Sequence, residues 1–335
     1  MLNLILILIF FITVFLFNKY NDKLSIKLKL IDIPNKRKIH KKPIPLTGGI
    51  LFFILLTEVI ILHSFFQDYE FHLTKLLLFC SIFVLGLIDD LKDIDANLKL
   101  FCLFLIVFLF LLFSIDFQIN LIKLSFITSE YSLGNFGLFF TILCILLLIN
   151  ALNMSDGING LFLGYSIIYF LFLYFSYEMQ NIYLILIITI LIICFIFNVF
   201  NKFFLGDNGV YLVSILLSLE LISAYKTDLS NLKNADEIFL LLMMPGLDML
   251  RLFCQRIKNK INPFKADNNH LHHLISKNID KTSTLLVCLS LSIIPIFLFK
   301  FGIMSILNSI ITGLFFYFLI LLFFLNKTNN FQDEK

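Results

Sequence analysis

The segment TILCILLLINALNMSDGINGL, residues 141–161, joins an apolar run to a polar end. The apolar run is typical of a helix inside a membrane. Polar side chains then recur every third residue: Asn150, Asn153, Asp156 and Asn159. On a continuing helix this spacing keeps all four near one face, where their oxygens could bind a cation or a polar group. An ordinary helix end explains the same residues, because asparagine, serine and glycine form caps and turns.

The composition extends the membrane interpretation to the whole chain. Of its 335 residues 59% are hydrophobic and 15% charged, and the mean hydropathy is +0.95, whereas soluble domains are about 45–50% apolar. The strand alternation of a barrel is absent. We therefore predict an all-α polytopic membrane protein of about eleven helices, each of about 20 apolar residues. The spans are roughly 1–18, 46–66, 73–90, 98–116, 134–152, 158–177, 181–200, 208–225, 236–252, 282–299 and 303–326.

The placement of basic residues predicts the orientation. The first span begins at Met1 without a basic n-region or a cleavage site, which indicates a retained helix, and its N-terminus is placed outside as the starting point. Alternating the spans from there puts all but five of the 26 Lys and Arg residues on one side. The exceptions are Lys75, Lys123, Lys226, Lys233 and Lys300. By the positive-inside rule the richer side is cytoplasmic, so the formal net charge of +3 gives no reason to expect a nucleic-acid partner.

The six cysteines and the absence of linkers indicate one integral membrane domain over residues 1–335. All six cysteines lie in or at the edge of predicted spans and none forms a CxxC pair, so they read as small core residues and not as a disulfide framework or zinc site. The polar motifs fall between residues 32 and 277.

Two acidic clusters end or begin predicted spans. The third span ends in LGLIDDLKD, with Asp89, Asp90 and Asp93, where the negative end of a helix makes three carboxylates unfavourable unless a cation is near. Lys92 is one such cation, and a solvated helix end is the alternative. In FLGDNG, Asp207 follows a glycine that permits a tight turn near a ligand, although a turn or an N-cap explains it as well.

Two basic loops complete the set. The loop INPFKADNNHLHHLI contains His270, His272 and His273, with Arg251 and Arg256 just before it. Its basic residues favour anion binding over a metal site, and a topology signal is the alternative. In DIPNKRKIHKKPIPLTGGI the cationic and turn residues adjoin the second span, and attraction to anionic lipid explains most of the charge. These residues are Arg37, His40, Lys42 and the turn from Pro45 to Gly49, including Thr47.

The predicted topology places all five motifs on the cytoplasmic side. Carboxylates and amides beside Arg, His and Lys suit a magnesium-bound, polyphosphorylated substrate at the membrane face. This convergence favours an enzyme that acts at the cytoplasmic surface.

With these motifs in this order, the chain resembles the polyprenyl-phosphate N-acetylhexosamine-1-phosphate transferases, which include the MraY and WecA enzymes. The resemblance runs from Asp32 to His273. It implies transfer of a sugar phosphate from a UDP-sugar to undecaprenyl phosphate with release of UMP. The terminal PF-x-AD-x-x-HLHH is similar to the WecA branch, so N-acetylglucosamine-1-phosphate and the start of O-antigen or teichoic-acid synthesis are implied. Lipid I synthesis from the MurNAc-pentapeptide donor is the alternative.

The resemblance also implies roles for single residues. Asp89, Asp90 and Asp156 match catalytic carboxylates, and Asn153 and Asp207 match the ligands of Mg²⁺, with Mn²⁺ as the alternative ion. Asn159 stands where bacterial members usually have aspartate, so this motif offers no second carboxylate. Residues that match or adjoin the substrate-binding positions are Lys99, Asn150, His270, His272, His273, Arg251, Arg256, Lys42 and Thr47.

In the implied reaction the lipid phosphate attacks the β-phosphorus of the UDP-sugar, and a double displacement through an aspartyl-phosphate is the alternative. The implied location is the bacterial inner membrane, and a homodimer is left open.

Two other classes compete with this interpretation. A membrane prenyltransferase would need two aspartate-rich motifs, whereas the second cluster here is rich in asparagine. A transporter would use the intramembrane residues Glu58, His63 and Glu220, but these lie away from the cytoplasmic motifs. For Glu58 and Glu220 we expect pairing within the helix bundle or near its rim.

Overall fold

A computed structural model describes residues 2–34, 42–66, 73–179, 181–261 and 269–333. Each predicted span coincides with a helix of this structure. The helices are α1 (Leu2–Leu28), α2 (Gly48–Phe66), α3 (Leu73–Lys92), α4 (Ala96–Phe113), α5 (Gly137–Ser155), α6 (Leu161–Ser176), α7 (Ile182–Val199), α8 (Gly206–Lys226), α9 (Ala235–Lys258), α10 (Leu271–Ser276), α11 (Lys281–Lys300) and α12 (Ile306–Asp333). The strands are β1 (Ile31–Asp32), β2 (Ile44–Pro45), β3 (Leu121–Leu124) and β4 (Ile127–Ser132).

Several helices are long and apolar enough to cross a membrane. Among the described residues six meet both criteria, and two shorter apolar helices, Gly48–Ile61 and Leu161–Ser176, accompany them. Many large apolar side chains are exposed on the outer faces of these helices, such as Phe113 and Phe315, as expected where lipid replaces water. The prediction of an all-α polytopic membrane protein is confirmed.

The chain forms two compact units, each built from two stretches of sequence. Unit 1 comprises 1–116 and 179–217. In it α2 packs against α1 and α7, and α3 packs against α4. Thr13 on α1 donates a 2.6 Å hydrogen bond to Glu58 on α2, so the expected pairing of Glu58 within the bundle is confirmed.

Unit 2 comprises 117–178 and 218–335. Its centre is α9, which packs against α5, α11 and α12, while α10 packs against α11 and α12. Because α9 contacts three other helices, a polar residue on its inner face must find partners inside the unit.

A β-hairpin in unit 2 was absent from the sequence-based prediction. Strands β3 and β4 pair antiparallel in a segment expected to be a loop. The hairpin is fixed to the helices by the Lys123 amide, which donates to the Tyr225 hydroxyl at 2.8 Å, and by Ser125, whose amide and hydroxyl donate to Asp236. The strands are only four and six residues long, too short for an alternation to stand out beside the apolar helices.

Candidate active site

The turn between α3 and α4 places a lysine beside a carboxylate. The Asp95 side chain accepts a 2.9 Å hydrogen bond from the Asn97 amide and so caps the N-terminus of α4. Lys99 follows one turn later, and its Nζ lies 2.5 Å from Asp89 Oδ2. The motif LGLIDDLKD therefore ends one helix of an antiparallel pair whose second helix supplies the countercharge.

Asp89 is fully engaged by protein donors. It is 3% exposed, and beside Lys99 it accepts hydrogen bonds from the Tyr211 hydroxyl at 2.9 Å and the Ile94 amide at 3.0 Å. Lys99 Nζ also lies 3.5 Å from Asp207 Oδ2. Lys99 thus lies between two carboxylates, of which Asp207, with 31% of its side chain exposed, is the more accessible.

Asp90 holds the start of α8. Its two carboxylate oxygens accept hydrogen bonds from the backbone amides of Asp207 at 2.7 Å and Asn208 at 3.1 Å. Gly206, just before them, has a φ of +76°, and a Cβ there would lie 2.7 Å from Asp90 Oδ2. A carboxylate at a helix N-terminus satisfies amides that lack partners inside the helix. Asp90 therefore fixes the position of the Asp207 backbone.

The loop before α2 packs against the segment before α8. Gly48 and Gly49 donate to the carbonyl oxygens of Phe204 and Leu205 at 3.0 and 2.8 Å. Thr47 is fully buried, and its hydroxyl donates to Asn21. The Thr47 hydroxyl is therefore used within the protein interior. The predicted contact of Thr47 with substrate stays a prediction. Lys42 is exposed, and Arg37 and His40 lie outside the described residues.

The motif NALNMSDGINGL does not form one continuous helix. The helix α5 ends at Ser155, and residues 156–160 form a turn that closes at Gly160 with a φ of +82°. The expectation of four polar residues on one helical face is therefore wrong for Asp156 and Asn159, which lie in the turn, because the glycines end the helix first. Asn150 bonds back to the Leu146 carbonyl at 2.8 Å. Asn153 is half-buried near the end of α5.

Two motifs meet in unit 2 at Gly157. A Cβ atom at Gly157 would lie 2.2 Å from His272 Nε2 and 2.9 Å from His273 Nε2. The turn of the first motif therefore packs directly on the histidines of α10. His272 is 4% exposed, and its Nε2 has no hydrogen-bond partner among the described residues. Burial, and then the neighbouring His273 and His270, lower the pKa of His272 well below its usual 6.5, so this ring is neutral at neutral pH.

Sequence reasoning missed Asp248, which anchors the histidine segment. This buried carboxylate accepts hydrogen bonds from Arg251 Nη2 at 2.8 Å, His270 Nδ1 at 2.8 Å, the Leu271 amide at 3.1 Å and the Tyr317 hydroxyl at 3.2 Å. Arg251 also donates to the Asn269 carbonyl at 2.7 Å. Asp248 could have been found as an ionisable residue inside a predicted span, three residues before an arginine. Arg256 is buried at 4% exposure.

The implied magnesium site can be compared with the side chains that the structure describes. Among them no group of three or more His, Cys, Asp or Glu side chains could hold a metal ion. Mg²⁺ usually binds one or two carboxylates and keeps waters and substrate phosphates as its other ligands, so the part-exposed Asp207 carboxylate fits such an ion. Asn153, its predicted co-ligand, belongs to unit 2, and the pairing of the two residues stays a prediction.

Unit 2 contains a large apolar groove of about 440 Å³. It lies among α5, α8, α9 and the hairpin, and apolar side chains such as Phe140, Leu148, Ile222 and Leu242 line it. A long hydrocarbon chain suits this lining better than a polar ligand does.

Comparisons with known proteins agree with the motifs. Residues 72–225 match the model of glycosyl transferase family 4. Similar curated proteins from Salmonella typhi, Escherichia coli (strain K12) and Thermotoga maritima are each called undecaprenyl-phosphate alpha-N-acetylglucosaminyl 1-phosphate transferase. They are 28%, 27% and 28% identical to this chain over 280, 283 and 269 residues. The alignments cover 80% of this chain and 74%, 74% and 80% of the relatives. The resemblance predicted from the motifs is confirmed.

Proposed function

We propose that the chain, a polyprenyl-phosphate N-acetylhexosamine-1-phosphate transferase of the WecA branch, transfers N-acetylglucosamine-1-phosphate from UDP-N-acetylglucosamine to undecaprenyl phosphate. The observation that carries the proposal is the Asp89, Lys99 and Asp207 cluster of unit 1, where an ammonium group lies 2.5 and 3.5 Å from two carboxylates. The names of the similar proteins support the acceptor and the N-acetylglucosamine-1-phosphate group that is transferred.

The reaction joins two anions, so neutralising charge is its first requirement. A phosphate oxygen of the lipid forms a bond to the β-phosphorus, the anhydride bond breaks, and its electron pair leaves on UMP. The Lys99 ammonium offsets phosphate charge, and Asp89, held by Tyr211 and Ile94, keeps Lys99 oriented. Asp90 positions Asp207 through two backbone amides. A phosphate monoester has its second pKa near about 6, so the acceptor needs little help to lose its proton.

A magnesium ion, or manganese as the alternative, belongs to this proposal. Asp207 would hold it, with the Asn153 amide as the predicted second ligand, and the bound ion would supply Lewis-acid neutralisation of the diphosphate. The imidazoles of His272 and His273 are poor ligands for a hard ion. We assign them, with His270, to contacts with the donor.

The lipid acceptor fits unit 2. The groove is lined by apolar side chains of α5, α8 and α9, which suit part of a polyprenyl chain. The protein is then a multi-pass protein of the bacterial inner membrane, with eleven spans, its N-terminus outside and its phosphate chemistry on the cytoplasmic face. The distribution of basic residues supports this orientation.

Product analysis with a panel of donors tests the proposal. The purified protein, undecaprenyl phosphate and Mg²⁺ are incubated with UDP-N-acetylglucosamine, UDP-N-acetylgalactosamine or UDP-MurNAc-pentapeptide, and the lipids are analysed by mass spectrometry. We expect an N-acetylglucosamine diphosphate lipid that is lost in Lys99→Gln and kept in Lys123→Gln, which alters an exposed ion pair with Glu130. Turnover of the pentapeptide donor alone would move the chain to the lipid I branch.

A further inference from the structure

The segment that carries the three histidines depends on a single carboxylate. Asp248 of α9 accepts from His270 Nδ1, from the Leu271 amide that begins α10, and from the Arg251 guanidinium. The Tyr317 hydroxyl of α12 also donates to it. Three elements of unit 2 therefore converge on one buried side chain.

We propose that Asp248 is a positioning residue of the transfer reaction, which acts through His270 and the first turn of α10. The inference rests on the proposed function and on the assignment of the histidines to the donor. Asp248 is buried beneath the histidine segment, so its proposed role does not depend on contact with the substrate.

The hydrogen bonds fix the chemistry of the His270 ring. An ionised carboxylate can only accept, so Nδ1 carries the proton, and in the neutral ring Nε2 is the acceptor. The ring of His270 stacks on that of His272, with centroids 5.5 Å apart and planes at 10°. The Leu271 amide, held by the same carboxylate, sets the start of the helix that directs His272 and His273 toward Gly157. Moving Asp248 would therefore move all three rings.

Stabilising the fold would not by itself require a carboxylate at residue 248. Burying a carboxylate and a guanidinium costs desolvation energy, and apolar residues of similar volume often replace such pairs at no loss. An apolar residue could not accept hydrogen bonds from His270 Nδ1 and from the Leu271 amide at the same time. The carboxylate is therefore best explained by the groups that it orients.

The test measures steady-state kinetics of the purified full-length protein with UDP-N-acetylglucosamine and undecaprenyl phosphate. In Asp248→Asn an amide donor replaces one acceptor oxygen and faces groups that also donate. We expect kcat/KM for the UDP-sugar to fall about 10- to 100-fold, mainly through a higher KM for that donor, with the KM for the lipid unchanged. A defect in folding alone would lower the active fraction and leave both KM values as they were.

Asp236→Asn is the matched control. Asp236 is a buried aspartate of the same helix, twelve residues or about 18 Å earlier, and its hydrogen-bond partner is Ser125 of the hairpin. We expect its KM for the UDP-sugar to equal that of the wild type.

A double-mutant cycle tests whether Asp248 acts through His270. We expect the loss caused by Asp248→Asn to be smaller in the His270→Ala background than in the wild type, because that background already lacks one of the two groups that Asp248 holds, the other being the Leu271 amide. Additive losses would overturn the inference, as would an unchanged donor KM in folded Asp248→Asn.

Two further measurements keep the outcome decisive. If Asp248→Asn does not fold, Tyr317→Phe, which removes one donor to the same carboxylate, must raise the donor KM, and an unchanged value would overturn the inference. Wild-type turnover is measured first. Its absence contradicts the proposed function and this inference together, whereas normal wild-type turnover with an unaffected Asp248→Asn contradicts the inference alone.

Discussion

Gly157 is the residue at which two sequence motifs touch, and it has no room for a side chain. Gly157→Ala would place a Cβ 2.2 Å from His272 Nε2 and 2.9 Å from His273 Nε2, so the rings must move. We expect transfer efficiency to fall at least about tenfold, the equivalent of about 1.4 kcal/mol, in enzyme assays on purified protein. Gly164→Ala is the control, because its Cβ meets only the flexible end of Leu289. Equal activity of the two variants would refute the packing argument.

The burial of His272 predicts how stability depends on pH. Its pKa is lowered well below 6.5 in the folded protein, so below about pH 6.5 the unfolded chain binds a proton that the folded chain does not. The free energy of unfolding should therefore decrease as the pH is lowered below about 6.5, by at most about 1.4 kcal/mol per pH unit for this group. Thermal unfolding at pH 7.5 and 5.5 checks this, and His272→Gln should lose less stability than the wild type. An identical loss in both proteins would argue against it.

Some residue contacts could be predicted from the sequence and others could not. The proximity of Asp89 and Lys99 follows from a short turn between helices, which local capping by Asp95 produces. The contacts of Asp248 with Tyr317 and of Thr47 with Asn21 could not be predicted, because in each pair the partner lies far away in the chain. Spacing along a sequence carries no information on such contacts.

The N-terminus of α8 is held by a residue of another helix, which gives a prediction for that element. In Asp90→Asn one of the two oxygens that accept from the Asp207 and Asn208 amides is lost. At about 1.5–3 kcal/mol for a bond to a charged group, we expect these amides to exchange about 10- to 150-fold faster. Hydrogen exchange followed by mass spectrometry over residues 203–212 measures this.

Asp93→Asn is the control for that experiment, since Asp93 is exposed at the end of α3 and asparagine tolerates its φ of +50°. Unchanged exchange in Asp90→Asn, or equal acceleration in both variants, would show that the capping contact does not hold the helix.

The helices themselves were the most predictable elements. Each predicted span matches a helix, since about 20 apolar residues in a row leave the backbone few alternatives in a membrane. Lengths were less accurate, because α1 continues to Leu28 and α9 to Lys258 beyond their apolar parts. The hairpin and the six-residue helix α10 escaped prediction, because tertiary contacts define them.

The predicted orientation of the whole molecule can be checked by labelling. In a variant without its six cysteines, single cysteines replace Asp93, Asn259 or Glu130, all exposed. In intact cells a membrane-impermeant thiol reagent should label Glu130→Cys only, because basic residues place the other two positions in the cytoplasm. All three should react after permeabilisation. Labelling of Asp93→Cys or Asn259→Cys from outside would invert the topology and remove the reaction from the cytoplasmic face.

The division into two units was not foreseen from the sequence. Each unit joins stretches that are far apart in the chain, and neither composition nor a linker marks the change. The prediction of one integral domain stays a prediction. The five motifs are distributed over both units, so neither unit contains all of them.

The central claim is that a phosphorylated sugar is transferred, so the fate of the donor's β-phosphate is its most direct test. Purified protein is incubated with undecaprenyl phosphate, Mg²⁺ and UDP-N-acetylglucosamine labelled with radioactive phosphorus at the β-position, and lipid and nucleotide products are separated. We expect the label to enter the lipid and unlabelled UMP to be released in equal amount. Label recovered in UDP, with the sugar alone on the lipid, would contradict it.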